Sequence, residues 1–316
     1  MFSFLAFKSL REQDGCLVSP VYTQCVWQPQ EFPWGIRYAA VEPYDLANGR
    51  GIHAATWKEA KKYAQSMYLV APIPTLPVIE GEQGWRAQGA FIVEGPLNDK
   101  DVYRAARLIV AADQAGYPQI DGILRWAQDV VFAIEKIRPW METSDPLPSE
   151  WIDFRIPEEV TREGENPFVM IFAARHGRLP AGFDRWELAT PSGWSVAHEA
   201  IYYGHIPTDF DRWEIATPSG LSVAHIGALR GTLPADFDRW EITDSNGITA
   251  AHVAARYNHL PAGFNRWELA TPKGWMVAHE AAYYDHLPAD FDRWDLATPQ
   301  GWTVAQIAAQ ITRKTA

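Results

Sequence analysis

The sequence predicts a two-part chain: an α+β N-terminal domain followed by an α-rich repeat solenoid. From Leu179 onward a 27-residue period recurs five times without slippage, as LPAGFDRW at Leu179, IPTDFDRW at Ile206, LPADFDRW at Leu233, LPAGFNRW at Leu260 and LPADFDRW at Leu287. Trp186, Trp213, Trp240, Trp267 and Trp294 therefore fall at fixed spacing, the mark of stacked repeats. A unit this short cannot bury its own apolar face and must pack on its neighbours. Residues 1–138 show no repeat and mix strand and helix signals, and residues 139–166 form a proline- and acid-rich join containing Pro139, Pro146, Pro148 and Pro157. Residues 167–316 are the repeat array.

The front domain reads in order. Short β-rich segments lie at residues 16–23, 35–41, 51–55, 67–73 and 86–93, punctuated by turn residues such as Gly81 and Gly84. A helix starts after Thr56, because Thr56-Trp57-Lys58-Glu59 has capping-box form: the hydroxyl accepts one free N–H and the glutamate reaches back to another. A second helix over residues 98–115 is capped by Asn98 and stopped by Gly116, with Val102, Ala105, Ala106, Ile109 and Ala112 as its apolar stripe. A third, from about 120 to 138, carries Ile123, Trp126, Val130, Ile134 and Ile137 on one face and ends at Pro139. The last two helices suit the N-terminal cap that a repeat array requires.

Each repeat follows one plan, visible in the unit that starts at Thr190. Thr190-Pro191-Ser192-Gly193 matches a type I turn, with proline second and glycine fourth. Ser195 caps a helix of two turns that faces Val196, Ala197, Ala200 and Ile201 inward, the alanines allowing close approach. Gly204 supplies a left-handed stop. Pro207 opens a second, shorter helix, where a missing N–H costs nothing, and its Phe210 and Trp213 pack against the next unit.

Gly193-Trp194-Ser195-Val196-Ala197-His198-Glu199-Ala200, followed by Gly204-His205, resembles the first half of an ankyrin repeat, Gly-x-Thr-Pro-Leu-His-x-Ala-Ala-x-x-Gly-His. Residues 220–231, 247–259, 274–286 and 301–309 echo it, so the resemblance extends over 167–316. The units are shorter than the ankyrin length of about 33 residues. The loss falls on the second helix, which becomes one turn or an irregular segment. The resemblance implies an ankyrin-like stack of five units plus a leading half unit, residues 166–178, whose usual work is binding other proteins.

Repeated residues read first as structure. His198, His225, His252 and His279 match the histidine that ties turn to helix in the ankyrin pattern, and Gln306 replaces it in the last unit. Helices packed about 8–10 Å apart do not bring such rings to a shared zinc, whose nitrogen bonds are about 2.0–2.1 Å. The tryptophans read as core. Arg185, Arg212, Arg239, Arg266 and Arg293 sit among acids such as Asp184 and Glu187, as a solvated or inter-repeat charge ladder or, alternatively, an acidic docking strip. Three helix positions vary while the rest of the unit repeats: Glu199, Ile226, Val253, Glu280 and Ile307; Tyr202, Leu229, Arg256, Tyr283 and Gln310; Tyr203, Arg230, Tyr257, Tyr284 and Ile311. Stacking does not fix them, so they face solvent, a partner or a neighbouring unit. Tyrosine and arginine dominate binding hot spots, which makes Tyr202, Tyr203, Arg230, Arg256, Tyr257, Tyr283 and Tyr284 the candidate binding face.

Composition narrows the function. The net charge is −11, with 17 acids against 14 bases in residues 1–145 and 22 against 14 thereafter. So acidic a repeat half disfavours direct nucleic-acid binding, which needs a basic surface. It leaves a protein partner, including a basic nucleic-acid-binding protein whose channel the array would block. Cys16 and Cys25 show neither disulfide-framework nor metal spacing and read as reduced thiols. The apolar run at residues 1–10 has no cleavage site, and no segment approaches the roughly 20 apolar residues that span a bilayer. A cytoplasmic protein without a membrane partner is expected.

No phosphate loop, nucleophile elbow, His-Glu-x-x-His or paired cysteine cluster is present, so no catalytic, cofactor or metal residue is expected. One segment offers an alternative. Gly49-Arg50-Gly51-Ile52-His53-Ala54-Ala55-Thr56, then Glu59-Ala60 and Tyr63, resembles the Gly-x-Gly-Ile-Tyr-Phe-Ala…Ser-x-x-x-x-Tyr stretch of ADP-ribosyltransferases of the poly(ADP-ribose) polymerase kind. There the stretch helps build an NAD pocket. The resemblance implies an NAD-dependent transferase aimed by its repeats, with His53 and Tyr63 at the cofactor. The preceding His-Gly strand is missing, and Glu80, Glu82 and Glu94 equally suit surface acids. The leading expectation is an interaction scaffold, adaptor or inhibitor acting through its acidic repeats.

Overall fold

The computed structural model describes residues 3–14, 16–20, 26–27, 38–40, 51–63 and 65–315. It divides into two compact units, residues 1–143 with 155–167, and residues 144–154 with 168–316. The proline-rich segment 139–166 is thus shared between the two units.

The first unit is an antiparallel sheet with helices. Its strands are β1 (Ala6–Gln13), β2 (Cys16–Val18), β3 (Val26–Trp27), β4 (Tyr38–Ala40), β5 (Ile52–Ala55), β6 (Ser66–Pro72), β7 (Val78–Gly81), β8 (Gly84–Ala87) and β9 (Gly89–Leu97). The order is β4-β9-β6-β1-β5-β8-β7, with β2 and β3 continuing from β1. Strand β1 is central, yet it lies outside the β-rich segments that the sequence marks. Residues 6–10 are buried without alternation, so no period of two marks them as a strand. Phe7 of β1 meets Trp57 and Trp126 edge to face at 5.1 and 5.3 Å, and those two indoles stack at 6.1 Å. Such ring geometry adds to simple burial.

Trp57 is carried by α1 (Trp57–Lys61), and Trp126 by α3 (Asp121–Phe132), which packs on α2 (Val102–Gln114). At Thr56 only half of the expected capping box forms. The hydroxyl accepts the Glu59 N–H at 3.4 Å, but the Glu59 carboxylate turns to Lys62, and the Thr56 N–H goes to the Gln83 carbonyl. Asn98 does form a full box with Asp101, and all five stripe residues of α2 are buried. Pro139 does not end the third helix. The chain passes through a π-helical turn, Ala133–Ile137, into α4 (Arg138–Met141), where Pro139 lies in the first turn and needs no N–H.

In the second unit the repeat of the sequence is also a repeat of the structure. Helices α5 (Val169–Arg175), α6 (Val196–Tyr202), α7 (Val223–Arg230), α8 (Ala250–Arg256), α9 (Val277–Tyr283) and α10 (Val304–Thr315) start at the same interval, each packed on the next. Every free N–H at the start of α6 has an acceptor. Val196 donates to the Leu188 carbonyl, Ala197 to that of Trp186, and His198 to the Ser195 hydroxyl. The chain leaves each of the first five helices through a left-handed residue, Gly177, Gly204, Gly231, Asn258 or Asp285. The turn ahead of α6 closes from the Gly193 N–H to the Thr190 carbonyl. Gly193 has φ +81°, and a Cβ there would lie 2.2 Å from Pro218 of the next turn.

Of the two forms open to the second half of the unit, a short helix or an irregular segment of turns, the structure has the latter. Pro207 opens a turn closed by the Phe210 N–H, and a further turn joins Arg212 to Ile215. Two turns suffice to bury Phe210 and Trp213. Phenylalanines and tryptophans alternate edge to face from Phe183 to Trp294, at 4.9 to 5.5 Å. Trp294, the last ring of this run, is 43% exposed.

Two further ladders link successive units. Each arginine pairs with an acid of the preceding unit, as Arg212 with Glu187, Arg239 with Glu214, Arg266 with Glu241 and Arg293 with Glu268. Arg185 takes Asp153 instead. Each histidine uses both ring nitrogens. In His198, Nδ1 accepts from the Ser195 N–H and hydroxyl, while Nε2–H donates to the Leu221 carbonyl of the next unit at 3.0 Å. His225, His252 and His279 bond the carbonyls of Ile248, Trp275 and Trp302 in the same way. The carbonyl can only accept and the backbone N–H at Nδ1 can only donate, which together fix the neutral Nε2–H tautomer.

Trp213→Ala, inside the ring ladder, should cost about 3–5 kcal/mol in urea unfolding, against about 1 kcal/mol or less for Trp294→Ala. Burial pushes the four imidazoles below their ordinary value of 6.5, with the carbonyl bonds opposing in part. A depressed folded pKa means protons bind preferentially to the unfolded chain, so stability is full above about pH 6.5 and falls below it. The melting temperature should drop between about pH 7.5 and 5.5. Replacing His198, His225, His252 and His279 together by glutamine should flatten that drop, since Gln306 already accepts the Thr303 N–H at 3.0 Å in α10.

Candidate binding surface

With the inward face of each helix committed to its neighbours, sequence variation collects at the outer face and last turn. Glu199 and Glu280 do not face solvent. The Glu199 carboxylate is buried, accepting from Arg175 Nε at 2.7 Å and from Trp194 Nε1 at 2.6 Å. Glu280, Arg256 and Trp275 repeat the arrangement at the same distances, three units further along the array. Burial alone lowers the pKa of Arg175 and Arg256, but the bonds and charge of the glutamates outweigh it and leave both raised. The two guanidinium groups also lie over Tyr203 and Tyr284, at 5.4 and 5.6 Å. At these distances the cations are attracted to the ring faces.

The seven candidate residues fall into two groups and one between. Tyr202 is half-buried, with Arg230 4.4 Å above its ring and Tyr203 edge-on at 5.1 Å. Arg256, Tyr283 and Tyr284 form the second group, the two tyrosines meeting at 5.1 Å. Tyr257 stacks beside His259. Tyr203, Tyr257, Tyr283 and Tyr284 are 40–47% exposed, so each presents part of its ring to solvent. Arg175, Trp194 and Trp275, which hold these groups, lie outside the candidate face expected from the sequence. Their signal was an arginine at the end of one helix and a glutamate in the next, found at two places in the array.

In the first unit, His53 and Tyr63 border one cavity of about 380 Å³ together with Lys8, Ser9 and Glu59. It opens where β1 and β5 pair only at Phe7 and Ala55. Glu80 and Glu82 line a different groove with Arg125, and Glu94 pairs with Arg104 at 3.3 Å. Gly49 and Arg50 of the transferase-like segment lie outside the described residues, as does Cys25, while Cys16 is a half-buried free thiol.

Comparison with models of known protein families gives no match, and comparison with curated protein sequences gives none at a significant level. Among the described residues no helix is long and apolar enough to cross a membrane.

Proposed function

We propose that the second unit is an ankyrin-like solenoid serving as a cytoplasmic protein-interaction scaffold, an adaptor or inhibitor that occupies a macromolecular partner. The observation that carries this reading is the separation of roles within the unit. Ring, charge and histidine ladders tie each unit to the next, while tyrosines and arginines vary at exposed helix ends. Partner contact there ranks Tyr202, Tyr203, Arg230, Arg256, Tyr257, Tyr283 and Tyr284 first. The arginine ladder is neutralised by its own acids, so the remaining aspartates set the sign of the surface. A basic partner fits that sign, a nucleic-acid-binding protein among them, and free nucleic acid does not.

Capture by the full-length chain followed by mass spectrometry should identify the partner. Alanine at Tyr202, Tyr203, Tyr283 and Tyr284 together should then weaken its binding by about a hundredfold or more, given roughly 2 kcal/mol per hot-spot side chain. An unchanged affinity would sink this face.

The cavity that gathers His53 and Tyr63 favours a second reading, in which the first unit binds NAD as the transferase resemblance implies. A cavity of this size lies in the range of small-molecule sites. When bound, NAD would supply an ADP-ribosyl group. Calorimetry should then register NAD binding that weakens in His53→Ala and Tyr63→Ala, and a titration without heat would remove this reading.

A further inference from the structure

The tyrosine groups are not the only features that recur three units apart. The residue just before the ladder phenylalanine is glycine in two units, Gly182 and Gly263, and aspartate in the other three, Asp209, Asp236 and Asp290. Both glycines are left-handed, φ +72° and +78°, and the three aspartates are not. A turn with proline first and a left-handed third residue, closed here by the Phe183 and Phe264 N–H groups, is a type II turn. A Cβ on either glycine would meet nothing within 4 Å, so the backbone alone calls for glycine. Beside each of these turns lies a groove against the following unit, of about 390 Å³ at Gly182 and 760 Å³ at Gly263.

The two grooves are built from largely equivalent residues, with Asp184 in the first where Asn265 stands in the second, and Asp285 added to the second. Each has a floor of proline and aromatic rings, Pro180 and Phe183 in one and Pro261 and Phe264 in the other. Each has two exposed aspartates on its far wall, Asp209 and Asp211, or Asp290 and Asp292. The wall arginines are already committed, Arg212 to Glu187 and Arg293 to Glu268. Among the described residues no ion pair within 4.0 Å holds Asp209, Asp211, Asp290 or Asp292, although the Asp292 charge is felt at Arg293. A floor of proline and aromatic rings beneath carboxylates that no ion pair holds suits a side chain with an aliphatic stem and a cationic head.

We propose that the two grooves are paired sockets for two basic side chains, arginine or lysine, of one protein partner. The proposal rests on reading the second unit as a protein-binding array, and it adds the partner's chemistry and spacing. Three units at about 8–10 Å each place the sockets roughly 24–30 Å apart. A flexible glycine-serine linker of about 25 residues has a matching mean span.

The test uses full-length protein and two synthetic peptides in low salt, one with a single Arg-Arg pair and one with two such pairs joined by that linker. The two-pair peptide should bind at least about tenfold more tightly than the single-pair peptide, because its second contact is intramolecular. Asp209→Asn with Asp211→Asn, or Asp290→Asn with Asp292→Asn, should abolish that advantage. Asp236→Asn with Asp238→Asn removes the same charge outside the sockets and should preserve it. Equal affinity of the two peptides, an equal loss in the Asp236/Asp238 variant, or no binding of either peptide at millimolar concentration would each overturn the proposal. The tyrosine variants judge the array reading separately, since none of them lines a socket.

Discussion

The repeat half depends on an imidazole that serves two units at once. Nδ1 holds the start of its own helix, and Nε2–H reaches the carbonyl before the next helix. Neither bond can be exchanged for water without exposing the helix start, because His198, His225, His252 and His279 are no more than 1% exposed. An unpaired group at such depth costs far more than the bond itself contributes. The ring therefore makes the folding of one unit conditional on its neighbour. The aromatic, arginine and turn contacts all run in the same nearest-neighbour sense, so stability builds along the chain rather than around one centre.

The first unit is organised differently. There a central strand presents Phe7 to two tryptophans from helices far away in sequence, and the sheet closes by pairings between distant segments. Fixed interior contacts in both units leave little freedom in the core. In the second unit that freedom is pushed to the helix ends, where tyrosine and arginine alternate with leucine, isoleucine and glutamine.

Much of this was legible in the sequence, for physical reasons that can be named. The period, the cap at Ser195, the stop at Gly204 and the stripe of α2 rest on local chemistry, and local chemistry is written in neighbouring residues. Strand β1 was not legible because a strand buried on both faces lacks alternation. Pro139 misled because a π-helical turn restarts the hydrogen-bond pattern just ahead of it. Pro207 left the second half of the unit open, because proline opens a turn as readily as a helix. For Glu199 the sequence left solvent, a partner and a neighbouring unit open, because its partners Arg175 and Trp194 come from the previous unit and from the turn before the helix. The face proposed for binding was readable as a set of positions, but not its division into two groups. That division follows from a three-unit recurrence superimposed on the single-unit one.

Contacts confined to adjacent units make length a separable property of this chain. Removing one whole repeat from the middle of the array would join two units that already know how to meet, leaving each aromatic group and each turn intact. What would change is the distance between the two equivalent stations, from three units to two. The chain thus carries a ruler whose graduations are single repeats, and a partner could be discriminated by its dimensions as well as by its chemistry.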